Sequence, residues 1–66
     1  MQAQPKYLDI DGTVSYTTLS RSVIYELIKL SDFPRQFKFK NVEKRVVWSV
    51  EELDDWMSKN LTKQTA

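Results

Sequence analysis

The sequence of 66 residues contains no cysteine and no histidine. The absence of both excludes disulfides, zinc fingers and catalysis by an imidazole. No apolar run is long enough to cross a bilayer, and the first residues, MQAQPKYLD, lack the apolar core of a signal peptide. We therefore expect a cytoplasmic module that has no membrane partner and needs no metal or other cofactor.

The chain is also too short to form a deep pocket. A domain of this length buries only about 60% of the surface that its unfolded chain exposes, so its core is small. Hydrophobic residues make up 41% and charged residues 29%, which is typical of a soluble globular domain. We predict one folded domain over residues 6–60, flexible tails at residues 1–5 and 61–66, and no small-molecule substrate.

One short motif suggests chemistry. Residues 7–15, YLDIDGTVS, resemble the nucleophile motif of haloacid-dehalogenase-type phosphatases, in which Asp9 would attack phosphorus and Asp11 would act as general acid. Such enzymes need several βαβ units of about 30 residues each, and only one would fit here. A calcium loop that starts at Asp9 fails as well, because Val14 would replace the required glycine and Ser20 the required glutamate. We predict that the protein is not an enzyme.

The same stretch has two structural interpretations. It forms either a short helix over residues 10–17 with Asp9 as its N-cap, or a strand over residues 7–10 followed by a turn at Asp11-Gly12. Both interpretations make the two aspartates cap and turn residues.

The small net charge of +1 conceals an uneven distribution. Residues 18–48 carry seven basic and three acidic side chains, whereas residues 49–58 carry four acidic side chains and no basic one. This separation indicates a dipolar molecule with one face for a polyanion. A mixed surface that serves solubility remains the alternative.

The segment LSRSVIYELIKLSDFP, residues 19–34, carries the clearest helical pattern. Ser20 is a good N-cap, and Pro34 disfavours helix in the residue before it, so we predict a helix over about residues 20–31. Its apolar residues fall in one arc, and Arg21, Tyr25 and Lys29 lie on the opposite side.

The segment QFKFKNVEKRVVWSV, residues 36–50, predicts a β-hairpin. One face would hold Phe37, Phe39, Val46 and Trp48, and both phenylalanines would belong to the core. The other face would hold Lys38, Lys40, Arg45 and Val47. We predict positive φ at Asn41 in the turn, which lacks glycine.

The segment SVEELDDWMSKNL, residues 49–61, predicts a last helix. Ser49 and Glu52 have the spacing of a capping box, and the apolar positions follow a helical period. We expect Trp48 and Trp56 to be core residues. The four carboxylates are interpreted as solvated stabilisers of the helix rather than metal ligands.

The order of elements is a weak helix, a helix, a hairpin and a helix, which is typical of an α+β winged helix-turn-helix with a two-stranded wing. In such modules the second helix reads base edges in the major groove, and other basic groups hold phosphates. The candidate contacts on this helix are Ser20, Arg21, Ser22, Tyr25 and Lys29. The candidate contacts on the wing and its flanks are Arg35, Lys38, Lys40, Lys44 and Arg45.

These segments together resemble AlpA-like prophage regulators and small phage excisionases of the MerR-like winged-helix group. The resemblance rests on Leu-Ser-Arg-Ser-Val-Ile-Tyr at residues 19–25, the Phe-Pro pair at residues 33–34, and Trp48 before a helix that contains Trp56. It covers residues 19–59. Thr18 replaces the glycine usual in the tight turn, and Glu26 replaces a frequent base. The glycine usual in the wing is missing, and the wing carries Glu43.

The resemblance implies a sequence-specific, nucleoid-associated protein that binds double-stranded DNA. We expect an excisionase, also called a recombination directionality factor, that bends DNA near an attachment site and biases an integrase towards excision. A prophage transcriptional regulator is the alternative, and a protein-interaction adaptor without DNA binding is a more distant one. The expected partners are DNA, an integrase, and further copies of the chain that bind cooperatively on DNA.

Overall fold

A computed structural model describes residues 5–64, in which three helices pack around a small antiparallel sheet. The elements in chain order are β1 (Tyr7–Leu8), α1 (Ile10–Thr17), α2 (Arg21–Lys29), β2 (Phe37–Lys38), β3 (Val46–Ser49) and α3 (Val50–Asn60). Of the two predicted tails, residues 1–4 and 65–66 lie outside the described residues, and residues 61–64 form no regular element. The predicted winged helix-turn-helix is confirmed.

The sheet has three strands rather than the predicted two. Its order is β1-β3-β2, so that β3 is central and antiparallel to both neighbours. Tyr7 is opposite Ser49 and Leu8 is opposite Trp48, which ties the start of the domain to the wing. The strand over residues 7–10, one of the two interpretations of this stretch, is confirmed in part as β1, but its pairing with β3 was not predicted, because two residues are too few to show an alternating pattern.

The opening stretch combines parts of both sequence interpretations. The predicted helix with Asp9 as its N-cap is confirmed, and the carboxylate of Asp9 accepts a hydrogen bond from the backbone N–H of Gly12 at 2.8 Å. The predicted turn at Asp11-Gly12 is wrong, because both residues lie in the first turn of α1. A Cβ at Gly12 would come within 3.2 Å of Leu8, so the absence of a side chain lets β1 and α1 meet closely.

Two buried threonines on α1 have hydroxyls that are hydrogen-bonded within the helix. Thr13 Oγ1 donates to the backbone oxygen of Asp9, and Thr17 Oγ1 donates to that of Thr13, each at 2.8 Å. These bonds satisfy both hydroxyls inside the domain, where an unpaired hydroxyl would be costly. The helix then ends at Thr18, which adopts the left-handed conformation with φ 65°.

The second helix begins as predicted and ends slightly early. Ser20 is its N-cap, and the Ser20 hydroxyl accepts from the backbone N–H of Val23 at 3.2 Å. At the other end, Ser31 has φ 59° and donates to the backbone oxygen of Ile28, while Asp32 donates to that of Leu27. These two bonds form a Schellman motif, so the helix ends at this motif and not at the residue before Pro34.

The core lies where α2, β3 and α3 meet. Ile24, Trp48 and Leu53 are fully buried, and Phe33 is nearly so. The predicted core position of Trp48 is confirmed. Trp56 is only half-buried, packs edge-on against Phe33 with 4.8 Å between ring centroids, and donates from Nε1 to the backbone oxygen of Asp32.

The predicted core positions of Phe37 and Phe39 are wrong, since these side chains are 45% and 51% exposed. Phe37 is opposite Val47 and Lys38 is opposite Val46, which is one residue away from the predicted register. Phe37 therefore shares the outer face of the sheet with Val47 instead of the inner face with Trp48. Asn41 does not have the predicted positive φ, which among the described non-glycine residues occurs at Thr18 and Ser31.

The last helix confirms the predicted cap at Ser49, whose hydroxyl accepts from the backbone N–H of Glu52 at 3.3 Å. Its four carboxylates are exposed. Within residues 5–64 no cluster of acidic side chains has the arrangement of a metal site. No helix in this part of the chain is sufficiently long and apolar to cross a membrane.

Candidate nucleic-acid interface

A tight turn connects α1 to α2. Thr18 occupies the left-handed region, and its N–H donates to the backbone oxygen of Val14 at 2.8 Å. Leu19 is half-buried against the core, and Ser20 then caps the next helix. The turn thus buries one side of α2 through Ile24 and leaves its N-terminal outer side in solvent.

The outer side of α2 carries four of the five predicted helix contacts. Arg21, Ser22, Tyr25 and Lys29 line a shallow depression together with Glu26. All five are exposed, and the four predicted contacts combine cationic, hydroxyl and aromatic groups, to which Glu26 adds a carboxylate. Such a set can donate hydrogen bonds to base edges and phosphates.

Tyr25 joins this surface to the core. Its side chain is 44% exposed, and its ring meets Trp48 edge-on at 6.5 Å between centroids. The ring is therefore held by packing at one edge and presents its other parts to solvent. A tyrosine held in this way loses little side-chain entropy when it contacts a partner.

Ser20, the fifth predicted helix contact, already has a structural role as the N-cap. Its hydroxyl accepts one hydrogen bond from Val23 and keeps a proton to donate. The side chain can therefore cap the helix and donate to a phosphate at the same time.

The predicted wing contacts are all exposed and lie on three neighbouring segments. Lys38 is in β2, and Lys40 and Lys44 are in the connection between β2 and β3. Arg45 immediately precedes β3, and Arg35 follows Pro34 on the way into β2. Positively charged side chains are therefore distributed along the wing from its base to its tip.

Two ion pairs that the sequence did not predict connect these basic residues to α1. Arg21 Nη2 lies 2.7 Å from Asp11 Oδ1, and Arg45 Nη2 lies 4.0 Å from Asp9 Oδ2. The two arginines come from α2 and from the wing, and both approach the N-terminal end of α1. The structure therefore brings these two predicted contacts to one side of the molecule.

The acidic helix α3 has its own partners. Asp55 pairs with Lys59 one turn later at 3.2 Å, and Asp54 accepts a hydrogen bond from the Tyr16 hydroxyl. Neither pair involves a predicted contact residue. The two described pairs of α3 carboxylates are therefore formed without the basic residues of α2 and the wing.

The family model described as prophage CP4-57 regulatory protein (AlpA) matches residues 7–61. These residues include every helix and strand from β1 to the C-cap of α3. The chain belongs to the AlpA family. The match confirms the AlpA resemblance seen in residues 19–59 and extends it to β1 and α1. No curated protein and no solved structure matches the chain significantly.

This AlpA-family protein departs from the family pattern at Thr18, Glu26 and Glu43, and the structure shows where each of these residues lies. Thr18 stands where the resemblance implies glycine, and it nevertheless adopts a positive φ. Glu26, in place of a base, points to solvent beside Tyr25 and Lys29 and reduces the positive charge of the α2 surface. Glu43 is likewise exposed, in the connection between β2 and β3.

Proposed function

We propose that this AlpA-family protein controls a prophage by binding double-stranded DNA sequence-specifically. The observation that carries this proposal is the convergence of Arg21 and Arg45 on one end of α1, at 2.7 Å and 4.0 Å from its aspartates. A recognition helix and a basic wing that face the same way can engage one duplex together.

The N-terminal half of α2 enters the major groove in this proposal. Arg21 pairs with a guanine through two N–H groups, and Ser22 bonds to a base edge or a phosphate. Tyr25 contacts a thymine methyl or a phosphate, and Lys29 and Ser20 hold the backbone. The exposure of all five side chains supports these roles.

The wing supplies contacts that do not depend on sequence. Arg35, Lys38, Lys40 and Lys44 hold phosphates on either side of the groove, and Arg45 or Lys44 enters a narrow minor groove. The exposure of these side chains and the net charge of residues 18–48 support this part of the proposal.

Two biological roles are compatible with such binding. The family description, a prophage regulatory protein, supports control of prophage genes through promoter sites. Excision is the second role, in which several copies bend DNA near an attachment site and help an integrase. The separation of basic residues from acidic α3 supports cooperative binding in this role, because neighbouring copies can attract each other in a head-to-tail order.

Capture of fragmented source-genome DNA by the purified protein, followed by sequencing, tests the proposal. Enrichment of short sites over a promoter supports transcriptional control. Enrichment of repeated sites that flank an integrase gene or an attachment site supports excision. The absence of enrichment, combined with no binding to any duplex at low salt, overturns the proposal.

Two substitutions test the assignment of surfaces. Arg21→Ala is expected to weaken binding to a captured site by about 1–3 kcal/mol and to relax its sequence preference. Lys40→Ala is expected to weaken binding to all duplexes about equally and to reduce the salt slope by about 1. Both are measured by fluorescence anisotropy over a range of salt concentrations. Unchanged binding in both variants contradicts these assignments.

A protein-interaction adaptor is the candidate function from another class, and one observation favours it. Tyr7, Phe37, Phe39 and Val47 form an exposed apolar patch on the outer face of the sheet. Solvent-exposed aromatic clusters of this kind often mark protein contacts. Retention of a protein partner without affinity for DNA at low salt would support this alternative.

A further inference from the structure

The two aspartates of the DIDG motif, Asp9 and Asp11, have partners that the proposed contacts leave unexplained. Asp9 Oδ1 caps α1 by accepting from Gly12, and its second oxygen, Oδ2, lies 4.0 Å from Arg45 Nη2. Asp11 Oδ1 accepts from Arg21 Nη2 at 2.7 Å. A carboxylate therefore lies beside one arginine of the recognition helix and beside one arginine of the wing.

The two ion pairs contribute little to stability. The Asp11 and Arg21 side chains are 80% and 59% exposed, so water screens their attraction. Exposed ion pairs contribute little to the free energy of unfolding. The cap on α1 uses only one oxygen of Asp9, and a neutral asparagine would serve it about as well.

Both carboxylates also lie where a duplex would approach. If Arg21 and Arg45 contact DNA, Asp9 and Asp11 are within a few ångströms of phosphates or base edges. Like charges in an interface oppose association, and this opposition is strongest where favourable contacts are few. A non-specific duplex offers such a surface, because it provides phosphate contacts but no matched bases.

We propose that Asp11, assisted by Asp9, is a specificity-determining residue of the DNA-binding surface. This inference rests on the proposed function. Asp11 accepts a hydrogen bond from one nitrogen of Arg21 and leaves the other N–H donors of the guanidinium available to DNA. The planar guanidinium group, with its fork of N–H donors, is therefore oriented before DNA binds. A guanine, which offers two acceptors, can bind the oriented guanidinium group. A phosphate must instead compete with the Asp11 carboxylate for the guanidinium group.

Asp9 has the same relation to Arg45 at the wing, over a longer distance. Its negative charge discourages non-specific contact between Arg45 and phosphates. The contact between Asp9 and Arg45 breaks when α2 binds in the major groove and the wing enters a groove whose strong negative potential attracts Arg45. The two acids thus lower affinity for arbitrary DNA and leave affinity for a matched site almost unchanged, which is how unfavourable contacts create specificity.

Asp11→Asn is the decisive variant, because it removes the charge and keeps the size of the side chain. Its affinity is measured by fluorescence anisotropy for the most enriched captured site and for a scrambled duplex of equal length. We expect affinity for the scrambled duplex to rise about 3- to 10-fold, while affinity for the captured site rises by less or falls. The ratio of the two affinities therefore falls.

Asp55→Asn is the matched control. It removes the same charge from another exposed aspartate in an ion pair, on α3, which carries none of the proposed contact residues. We expect a much smaller change, of about the same size for both duplexes. Asp11→Glu keeps the charge and is expected to retain low affinity for the scrambled duplex. Circular dichroism of each variant checks that the fold is kept.

A double variant separates action through Arg21 from simple repulsion. If Asp11 acts by orienting Arg21, the double variant Arg21→Ala/Asp11→Asn has the same ratio of affinities for the captured and scrambled duplexes as Arg21→Ala alone. Equal ratios in the wild type, Asp11→Asn and Asp55→Asn would overturn this inference while leaving the proposed function intact. No binding to either duplex by the wild type would overturn the proposed function itself, and this inference with it.

Discussion

At the scale of single residues, Thr18 adopts a backbone conformation that its β-branched side chain disfavours. A β-branched residue at φ 65° brings its side chain close to the neighbouring backbone, and this conformation costs about 1–2 kcal/mol relative to the right-handed region. The turn nevertheless forms, because α1 and α2 pack on the same core through Val14 and Ile24. The angle between the two helices is therefore set by packing rather than by the preference of the turn residue.

Thr18→Gly is expected to stabilise the domain. Relief of the left-handed strain outweighs the extra freedom that glycine gives the unfolded chain, so the free energy of unfolding should rise by about 1 kcal/mol or less. Urea denaturation followed by circular dichroism measures the change. Ser15→Gly is the control, since it places glycine inside α1, where we expect a loss of about 0.5 kcal/mol. A loss of stability in Thr18→Gly as well would contradict the strained turn.

At the scale of elements, β3 organises both faces of the sheet. Its inner face buries Trp48, and its outer face presents Val47 between the two edge strands. Tyr7 in β1 and Phe37 in β2 meet across this position, edge-on, with ring centroids 5.9 Å apart. The outer pair therefore links the two edge strands through side chains, although neither strand bonds to the other.

Phe37→Ala tests this register. An outer-face aromatic pair is worth about 0.5–1.5 kcal/mol, so we expect a loss of stability in that range. Leu53→Ala, at a fully buried position, should cost about 2–5 kcal/mol. Both are measured by urea denaturation, and a double-mutant cycle with Tyr7→Ala isolates the coupling of the rings. A cost for Phe37→Ala as large as that for Leu53→Ala would contradict its outer position.

The elements differ in how far the sequence could predict them. The starts of α2 and α3 were predictable because Ser20 and Ser49 are local signals, each followed by an apolar helical period. The hairpin register was not, because Phe37 and Phe39 alternate with lysines and mimic a buried face. β2 contains only two residues, and its pairing is decided by contact with β3 and Tyr7 rather than by local alternation.

The candidate interface was also predicted only in part. Exposure of the α2 surface followed from the helical period of residues 19–30, since apolar and polar positions separate around the axis. The ion pairs of Asp11 with Arg21 and of Asp9 with Arg45 did not follow from it. They join residues on different elements, and their distances depend on how α1 sits against α2 and β3.

At the scale of the whole molecule, charge is arranged by surface. The basic side chains are concentrated on α2 and the wing, and α3 carries four of the nine acidic side chains, so that residues 18–48 and residues 49–58 carry opposite net charges while the total is only +1. A dipolar protein can orient as it approaches a polyanion, and repulsion keeps its acidic side away. We therefore propose that one surface, formed by α2 and the wing, contacts DNA.

Amide chemical-shift mapping tests this claim most directly. ¹⁵N-labelled protein is titrated with a short duplex at low salt, a measurement that does not require the operator to be known. We predict the largest shifts over residues 20–29 and 37–45, and small shifts over residues 51–59 in α3. Dominant shifts in α3, or no shifts at any residue, would contradict DNA contact through α2 and the wing.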